Sequence, residues 1–445
     1  MKKRDKRKNK PKNISVIVTS IFDGSFLTSY TKKMMEEGVV DRTRIIVIPD
    51  RKSPHELYQK CQILKDFGFN INCPTLEEQE EYLKKLGAIY NIVPYDSDNR
   101  RNIGYLMAYD SGDEIVISID DDNYPIEGTN FYKEHTVVGS GETRQNVVHN
   151  PNGWFNNCSL LKFRNTGVVY PRGYPYFARF SEDQIEEKNS EVDVHINTGL
   201  WLKEPDVDAI TWLGVKPYAS SFSNRSVVLS KNTWTTINTQ NTGLNKAVIP
   251  SYWFVKMGYT LSGLPIDRYG DIFSGYFAQT CVKHLGYGIR IGSPIVKHIR
   301  NSHNHLKDIQ QELGCITVLE DLLQWLTEVK LDGSTYTESY LSLAYQMEDA
   351  VQKFDGFVWN TATRGYFHHL AYCMRVWVNT IKTVDGEKTI ALKNYNKNNR
   401  VVKNRRKIVR SKNGSPKIKL LKTVSNSKRT KTPKRKGAIY LHKNQ

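Results

Sequence analysis

The run Asp120-Asp121-Asp122, closing the apolar stretch Ile115-Val116-Ile117-Ser118-Ile119, is the densest concentration of chemistry in this 445-residue sequence. Three consecutive carboxylates repel one another, and a divalent cation relieves that repulsion. Mn²⁺ or Mg²⁺ is a hard ion that takes oxygen ligands, usually one or two carboxylates with phosphate oxygens and water completing the shell. Along an extended chain, alternation puts Asp120 and Asp122 on one side and Asp121 on the other. Asp120 and Asp122 are therefore candidate metal ligands in a D-x-D pair. Asp121 would make structural hydrogen bonds and is grouped with Asp120 among the ligand-contacting residues. The bland alternative is a solvated acidic turn after a strand.

Four further residues could complete such a site. Arg101, in Asn99-Arg100-Arg101-Asn102-Ile103-Gly104, carries a guanidinium that could pair with a diphosphate or with Asp120. Asp271, in Tyr269-Gly270-Asp271-Ile272, reads either as a helix N-cap or as an acidic group on the acceptor side. His298 ends the strand-like run Ile295-Val296-Lys297 and is a candidate nitrogen ligand to the same cation. Asp50 follows the apolar run Arg44–Ile48 and is a candidate hydrogen-bond acceptor for a bound ligand. His303 and His305 read as loop residues.

These groups need a scaffold, and the first 125 residues suggest one. Ile14–Ser20 is a β-branched run. Phe26, Leu27, Tyr30 and Met34 then recur at helical spacing. Arg44–Ile48 forms a second strand. Ser53-Pro54-x-Glu56 reads as a helix start with an N-cap serine, a proline in the first turn and a carboxylate reaching back, and Thr75-x-x-Glu78 is a capping box. Ala88–Pro94 reads as a third strand, Asn102–Tyr109 as a helix and Glu114–Ile119 as a fourth strand. Strands alternating with helices predict an α/β fold with a doubly wound, mostly parallel sheet. In such sheets ligands bind beyond the carboxyl ends of the strands, where Asp50 and Asp120–Asp122 both fall.

The net charge of +18, from 64 Lys+Arg against 46 Asp+Glu, is unevenly spread. Residues 1–12 contribute +7 and residues 401–445 contribute +16, so the body between them is slightly acidic. The organisation expected is a basic N-terminal tail at 1–12, an α/β ligand-binding domain at 13–315, a helical appendix at 316–390 and a basic, disordered tail at 391–445. Three apolar stripes mark the appendix: Leu319, Leu322, Leu323 and Leu326; Tyr340, Leu341, Ala344, Met347 and Val351; Phe367, Leu370, Met374, Trp377 and Ile381. No apolar run reaches the roughly 18–20 residues of a transmembrane helix, and no h-region follows the charged N-terminus. The six cysteines are scattered without C-x-x-C spacing, which fits a reducing cytoplasm.

The combination Arg101-Asn102-Ile103-Gly104 with Ile117-Ser118-Ile119-Asp120-Asp121-Asp122 resembles the reversibly glycosylated polypeptides, the plant UDP-arabinopyranose mutase family. Three further blocks are similar in the same order: Arg172-Gly173-Tyr174-Pro175; Gly199-Leu200-Trp201-Leu202 with Pro205-Asp206-Val207-Asp208-Ala209; and Gly270-Asp271-Ile272 through His284-Leu285-Gly286-Tyr287-Gly288, Gly292-x-Pro294 and His298. The resemblance implies a GT-A-type fold and a UDP-sugar bound with Mn²⁺ or Mg²⁺ on Asp120 and Asp122. It also implies that Arg172 corresponds to the arginine that the family reversibly glycosylates, and it strengthens the reading of His298 as a ligand.

Two enzymatic readings follow. One is a metal-dependent glycosyltransferase that takes a nucleotide-sugar donor to a glycan or lipid-linked acceptor in cell-wall or polysaccharide biosynthesis. There the cation and Arg101 neutralise the diphosphate, and Asp271 acts as base on the acceptor hydroxyl. The other is a UDP-sugar pyranose/furanose mutase with reversible self-glycosylation. A third reading, nucleic-acid binding through the tails, is disfavoured, because their basic residues are not interleaved with aromatics apart from Tyr440. The tails fit attraction of a cytoplasmic enzyme to an anionic membrane surface. Oligomerisation is left open.

Overall fold

The computed structural model describes residues 12–386 except Ser262 and Ser302. The two tails fall outside the described residues, apart from Lys12. The N-terminal half is built as its hydrophobic pattern dictates. Strands β1 (Ile14–Ser20), β2 (Thr43–Pro49), β3 (Asn70–Asn72) and β4 (Ile115–Ile119) lie in the order β3-β2-β1-β4, all parallel. Helices α1 (Leu27–Glu37), α2 (His55–Asp66), α3 (Leu76–Lys85) and α4 (Arg101–Asp110) make the connections. Parallel strands covered on both faces read as continuous β-branched runs, and Ile14, Val16, Ile17, Val18 and Ile45–Ile48 are all buried.

The chain moves outward from β1 to β2 and β3, then returns to place β4 on the other side of β1. That reversal makes the β1/β4 crevice the topological switch point, where α/β sheets bind ligands. Beyond β4 the sheet becomes mixed. The strand Asn241–Asn245 pairs antiparallel with β4 and with the 18-residue strand Glu186–Lys203. The first half of that long strand pairs with Glu142–His149, and its second half runs parallel to Gly288–His298. The α/β architecture expected from the sequence holds, with the fully parallel sheet confined to its first four strands.

Two local expectations need correction. Ala88–Pro94 is not a strand; Ala88–Asn91 is a 3₁₀ turn. Ile89 and Ile92, three residues apart, both point inward, as eclipsed side chains of a 3₁₀ turn do. The third strand is instead the short polar Asn70–Asn72 at the sheet edge. Ser53 does not cap α2. Pro54 is the N-cap residue, and the Ser53 hydroxyl donates to Ser20 O at 2.6 Å while accepting from Asp50 N at 2.8 Å. It ties the ends of β1 and β2 together under the site. The Thr75/Glu78 capping box forms as expected.

Three long helices, His305–Glu328, Tyr336–Ala350 and Thr361–Val384, complete the body. Their apolar stripes are buried, with Leu341 half-buried. The first of these helices runs unbroken through residue 316. Trp377 anchors the last one to the sheet domain by donating to Ile249 O at 2.9 Å and packing 5.5 Å from Trp253. No helix among the described residues is long and apolar enough to cross a membrane.

Candidate functional site

A cavity of about 420 Å³ opens beyond the carboxyl ends of β1, β2 and β4. All eight residues singled out from the sequence line it: Asp50, Arg101, Asp120, Asp121, Asp122, Arg172, Asp271 and His298. Residues separated by more than 200 positions in sequence thus share one wall.

The Asp120 corner is held by α4. Arg101 at its start is buried and donates to Ser118 Oγ (2.8 Å), Ile119 O (3.0 Å), Thr239 O (3.1 Å), Thr19 Oγ1 (3.2 Å) and Asp120 Oδ1 (2.5 Å). Of the two partners open to Arg101, Asp120 is the one it takes. Its donors staple the ends of β1 and β4. Burial raises the Asp120 carboxyl, with Arg101 opposing. α4 can lie this close to β1 because Gly104 has no side chain; a Cβ there would meet Ile17 Cγ2 at 2.4 Å.

The extended alternation expected for the three aspartates ends at Ile119. The chain turns at Asp121–Asp122, closed by Asn123 N donating to Asp120 O at 3.2 Å. All three carboxylates therefore reach the cavity. Burial holds the Asp121 carboxyl up at about 7.

Asp122 meets His298 because the strand Asn123–Pro125 pairs antiparallel with Gly288–His298, in a register that sets Asn123 against His298. Asp122 Oδ2 lies 3.3 Å from His298 Nε2. The other ring nitrogen, Nδ1, is 2.7 Å from Glu204 O; a carbonyl only accepts, so Nδ1 carries the proton. A neutral imidazole would then aim the Nε2 lone pair at a carboxylate oxygen, two acceptors face to face. Such an arrangement requires a proton or a cation between them. Burial pushes the His298 pKa down, and the Asp122 carboxylate more than reverses it. Among the described residues no three His, Cys, Asp or Glu side chains form a complete metal cluster. A cation held here would draw its remaining ligands from a bound diphosphate and water, as Mg²⁺ and Mn²⁺ commonly do.

Arg172 lies between two carboxylates. Its Nε and Nη2 donate to Asp206 at 2.8 and 3.0 Å, and its Nη1 and Nη2 donate to Asp271 at 3.1 and 2.8 Å. All three side chains are buried. Nη1 also donates to the carbonyl of Arg268, a residue with left-handed backbone (φ 63°), uncommon outside glycine and frequent at strained functional sites. Burial works against the Arg172 charge, but the two aspartates override it and hold its pKa well above the ordinary value. Asp271 is in the first turn of the helix Gly270–His284, which has Tyr269 as its N-cap residue. It is not a cap, and both of its oxygens are engaged by Arg172.

Asp50 lines the cavity with its oxygens already in use. Oδ1 accepts from Arg51 N at 2.8 Å, Oδ2 accepts from Ser97 N at 3.1 Å, and Arg100 stands 3.8 Å away. Sequence reasoning missed several lining groups. Arg300 stacks 4.9 Å over Trp212, and its Nη1 has no hydrogen-bond partner among the described residues. Arg268 is paired with Asp308 and Glu312 of the first C-terminal helix. Asp98 is open to the cavity yet surrounded by protein; burial and the nearby Asp271 charge hold its carboxyl at about 6. Gln240 also faces the cavity. The proximity of Arg300 to His298 in sequence was the one available signal, since Asp98, Gln240 and Arg268 belong to no motif.

The profile of the family described as reversibly glycosylated polypeptide matches residues 10–386. The chain belongs to that family. Among its relatives, probable UDP-arabinopyranose mutase 1 of Pisum sativum is 24% identical over 369 residues, covering 82% of this chain and 87% of the relative. UDP-arabinopyranose mutase 1 of Arabidopsis thaliana is 24% identical over 363 residues, covering 79% and 85%. Among solved structures, S. aureus TarS 1–349 in complex with UDP-GlcNAc is similar at 12% identity and a TM-score of 0.34, over 85% of this chain and 93% of that one. So loose a likeness carries no residue-by-residue equivalence.

Proposed function

We propose that this chain is a UDP-sugar mutase that interconverts ring forms of a UDP-linked sugar with the help of Mn²⁺ or Mg²⁺. The observation that carries this reading is the state of Asp271. The group best placed in sequence to activate an external acceptor has both oxygens on Arg172, and Arg172 has its own donors on Asp271, Asp206 and Arg268. Asp271 in this state is not a free base, which suits a reaction with no second substrate. The names of the plant relatives support the same reading.

The cation would be held by Asp122 and His298 with the diphosphate. It would supply charge neutralisation as the bond from the anomeric carbon to the phosphate oxygen breaks and the electron pair moves to that oxygen. Arg300, which lines the cavity with its Nη1 unpartnered among the described residues, would share this task. The bond from the anomeric carbon to the old ring oxygen then breaks as the same carbon bonds a different hydroxyl oxygen; that hydroxyl gives up its proton and the former ring oxygen takes one. The same phosphate oxygen finally restores the glycosyl bond, so nothing is consumed. Transient glycosylation of Arg172 requires one of its N–H groups to be given up. Asp206 and Asp271, each within 3.1 Å, are in place to accept that proton. Otherwise Arg172 stays cationic and stabilises the departing diphosphate.

The test is to incubate the protein with UDP-arabinopyranose and Mn²⁺, without acceptor, and to separate the ring forms chromatographically. Conversion to the furanose form without net UDP release supports the mutase. UDP release only on addition of a glycan or lipid-linked acceptor supports a transferase. The basic tails, outside the described residues, would hold the enzyme at an anionic membrane surface; equal flotation with acidic liposomes of chains with and without residues 401–445 would refute that placement.

A further inference from the structure

Four cavity-lining residues carry a buried side-chain atom without a hydrogen-bond partner among the described residues: Arg100 Nε, Arg101 Nε, Arg300 Nη1 and Gln240 Oε1. Gln240 is the one that is uncharged and whose open atom is an acceptor. It is only 8% exposed and lines the cavity, yet its Oε1 is buried with no hydrogen-bond partner, and no partner for its Nε2 is found among the described residues. A buried amide left unpaired costs stability. A protein retains one where something else completes it. The backbone of Gln240 is firmly set: its N–H donates to Asn238 Oδ1 at 3.3 Å, and its carbonyl accepts from Asp120 N at 3.2 Å. The loose end is the side chain alone.

Its position says what completes it. Through its carbonyl Gln240 is tied to Asp120, at the carboxylate end of the cavity. Two residues back, Asn238 Nδ2 donates to Asp206 Oδ2 at 2.8 Å, and Asp206 grips Arg172. Gln240 thus stands between the carboxylates that would meet the diphosphate and the arginine that would meet the reacting carbon. Asp50, Lys52, Asp96 and Ser97 line another part of the cavity, by the end of β2.

The chemistry narrows the partner further. A carbonyl oxygen takes a donor or a cation, which excludes phosphate and carboxylate, and a cation would leave the amide N–H₂, which needs an acceptor, unmet. A hydroxyl is both donor and acceptor. The match survives exchange of the amide oxygen and nitrogen, an assignment that rests on hydrogen-bond partners Gln240 does not have. We infer that Gln240 recognises a hydroxyl of the sugar ring of the bound nucleotide-sugar and so sets which sugar the enzyme accepts. This inference rests on the UDP-sugar reading and adds to it a specificity residue that belongs to none of the sequence motifs.

The experiment compares wild type with Q240L, which keeps the bulk and removes the polar atoms, and with Q240A. Calorimetric affinities for UDP, UDP-arabinopyranose and its C4 epimer UDP-xylose are measured with Mn²⁺, and melting temperatures report folding. Loss of one neutral hydrogen bond predicts UDP affinity within about twofold of wild type, affinity for the preferred UDP-sugar lower by about tenfold, and a ratio between the epimers that moves toward one. Unchanged UDP-sugar affinity and epimer ratio in a folded variant overturns the inference and leaves the UDP-sugar reading standing. A parallel fall for UDP and both UDP-sugars also overturns it, since Gln240 would then serve the nucleotide. Wild type that binds neither UDP nor any UDP-sugar overturns the reading itself.

Discussion

Arg172 and Asp271, ninety-nine residues apart, meet side-on: Nη1 and Nη2 of the guanidinium donate to Oδ1 and Oδ2 of the carboxylate at 3.1 and 2.8 Å. Asp206 receives two more bonds from the same arginine. The two carboxylates and the arginine form one buried charged unit, and the properties of any one of them depend on the other two.

Replacing Arg172 with alanine strands two buried carboxylates beside each other. The expected cost is about 3–5 kcal/mol of stability, read by denaturant unfolding. Arg172→Lys restores the charge but not the two forks. It should fold with a smaller loss and turn over at least about a hundredfold more slowly; near-normal turnover by Arg172→Lys would show that only the charge matters.

Asp122 and His298 are the pair expected to hold the cation. With UDP present, Asp122→Asn and His298→Ala should each weaken Mn²⁺ binding by more than about tenfold, the loss seen even for outer-shell partners of metal ligands. Electron paramagnetic resonance of free Mn²⁺ measures this directly. Chelation by EDTA should stop turnover in the wild type, and Mn²⁺ should restore it. Undiminished Mn²⁺ affinity in both variants would remove the pair from the metal site.

His135 predicts a pH dependence of stability. It is fully buried, with Nε2 2.9 Å from Asn241 Oδ1 and Nδ1 accepting from Asn197 Nδ2 at 3.0 Å, so the neutral Nε2–H form fits. Burial pushes its pKa down to about 3 from an ordinary 6.5. Between these values the unfolded chain binds a proton that the native one refuses. Stability is therefore fully present above pH 6.5 and falls as the pH drops toward 3, by at most about 1.4 kcal/mol per pH unit from this one group. His135→Gln should unfold with a shallower acid slope than wild type over that window, and identical slopes would refute the assignment.

Gly104→Ala tests the packing that positions Arg101. The added methyl would come within 2.4 Å of Ile17 Cγ2, and α4 or β1 must shift. A loss of about 1–3 kcal/mol is expected. Because Arg101 lies one turn back on the same helix and staples Asp120, turnover should fall further than the fraction unfolded explains. Stability within about 0.5 kcal/mol of wild type would show that the contact relaxes freely.

How much of this was legible in the sequence follows from how local each feature is. β1, β2, β4 and the carboxylate cluster at the end of β4 could be read because an apolar run followed by carboxylates is a local pattern, whereas the turn that brings Asp121 to the cavity could not. Asp271 and His298 could be singled out as candidates at element ends, Arg172 entered only through the family resemblance, and the structure gathers all three into the same cavity. The clamp on Arg172 could not be read, because Asp206 and Arg268 acquire their roles only through long-range packing. The same holds for Glu312, which bonds Ala209 N at 2.8 Å and Arg268 Nε at 3.1 Å from a helix whose sequence shows only an apolar stripe. The 3₁₀ turn at Ala88–Asn91 was misread because Ile89, Ile92 and Val93 sit as densely in a turn as in a strand.

The central claim is tested most directly by following the ring form of the sugar in UDP-arabinopyranose incubated with the protein and Mn²⁺ in the absence of any acceptor. The furanose form should appear until equilibrium is reached, free UDP should not accumulate, and Arg172→Lys and Asp122→Asn should slow the conversion sharply. A sugar that keeps its ring form while UDP is released in step with an added glycan acceptor would contradict the claim.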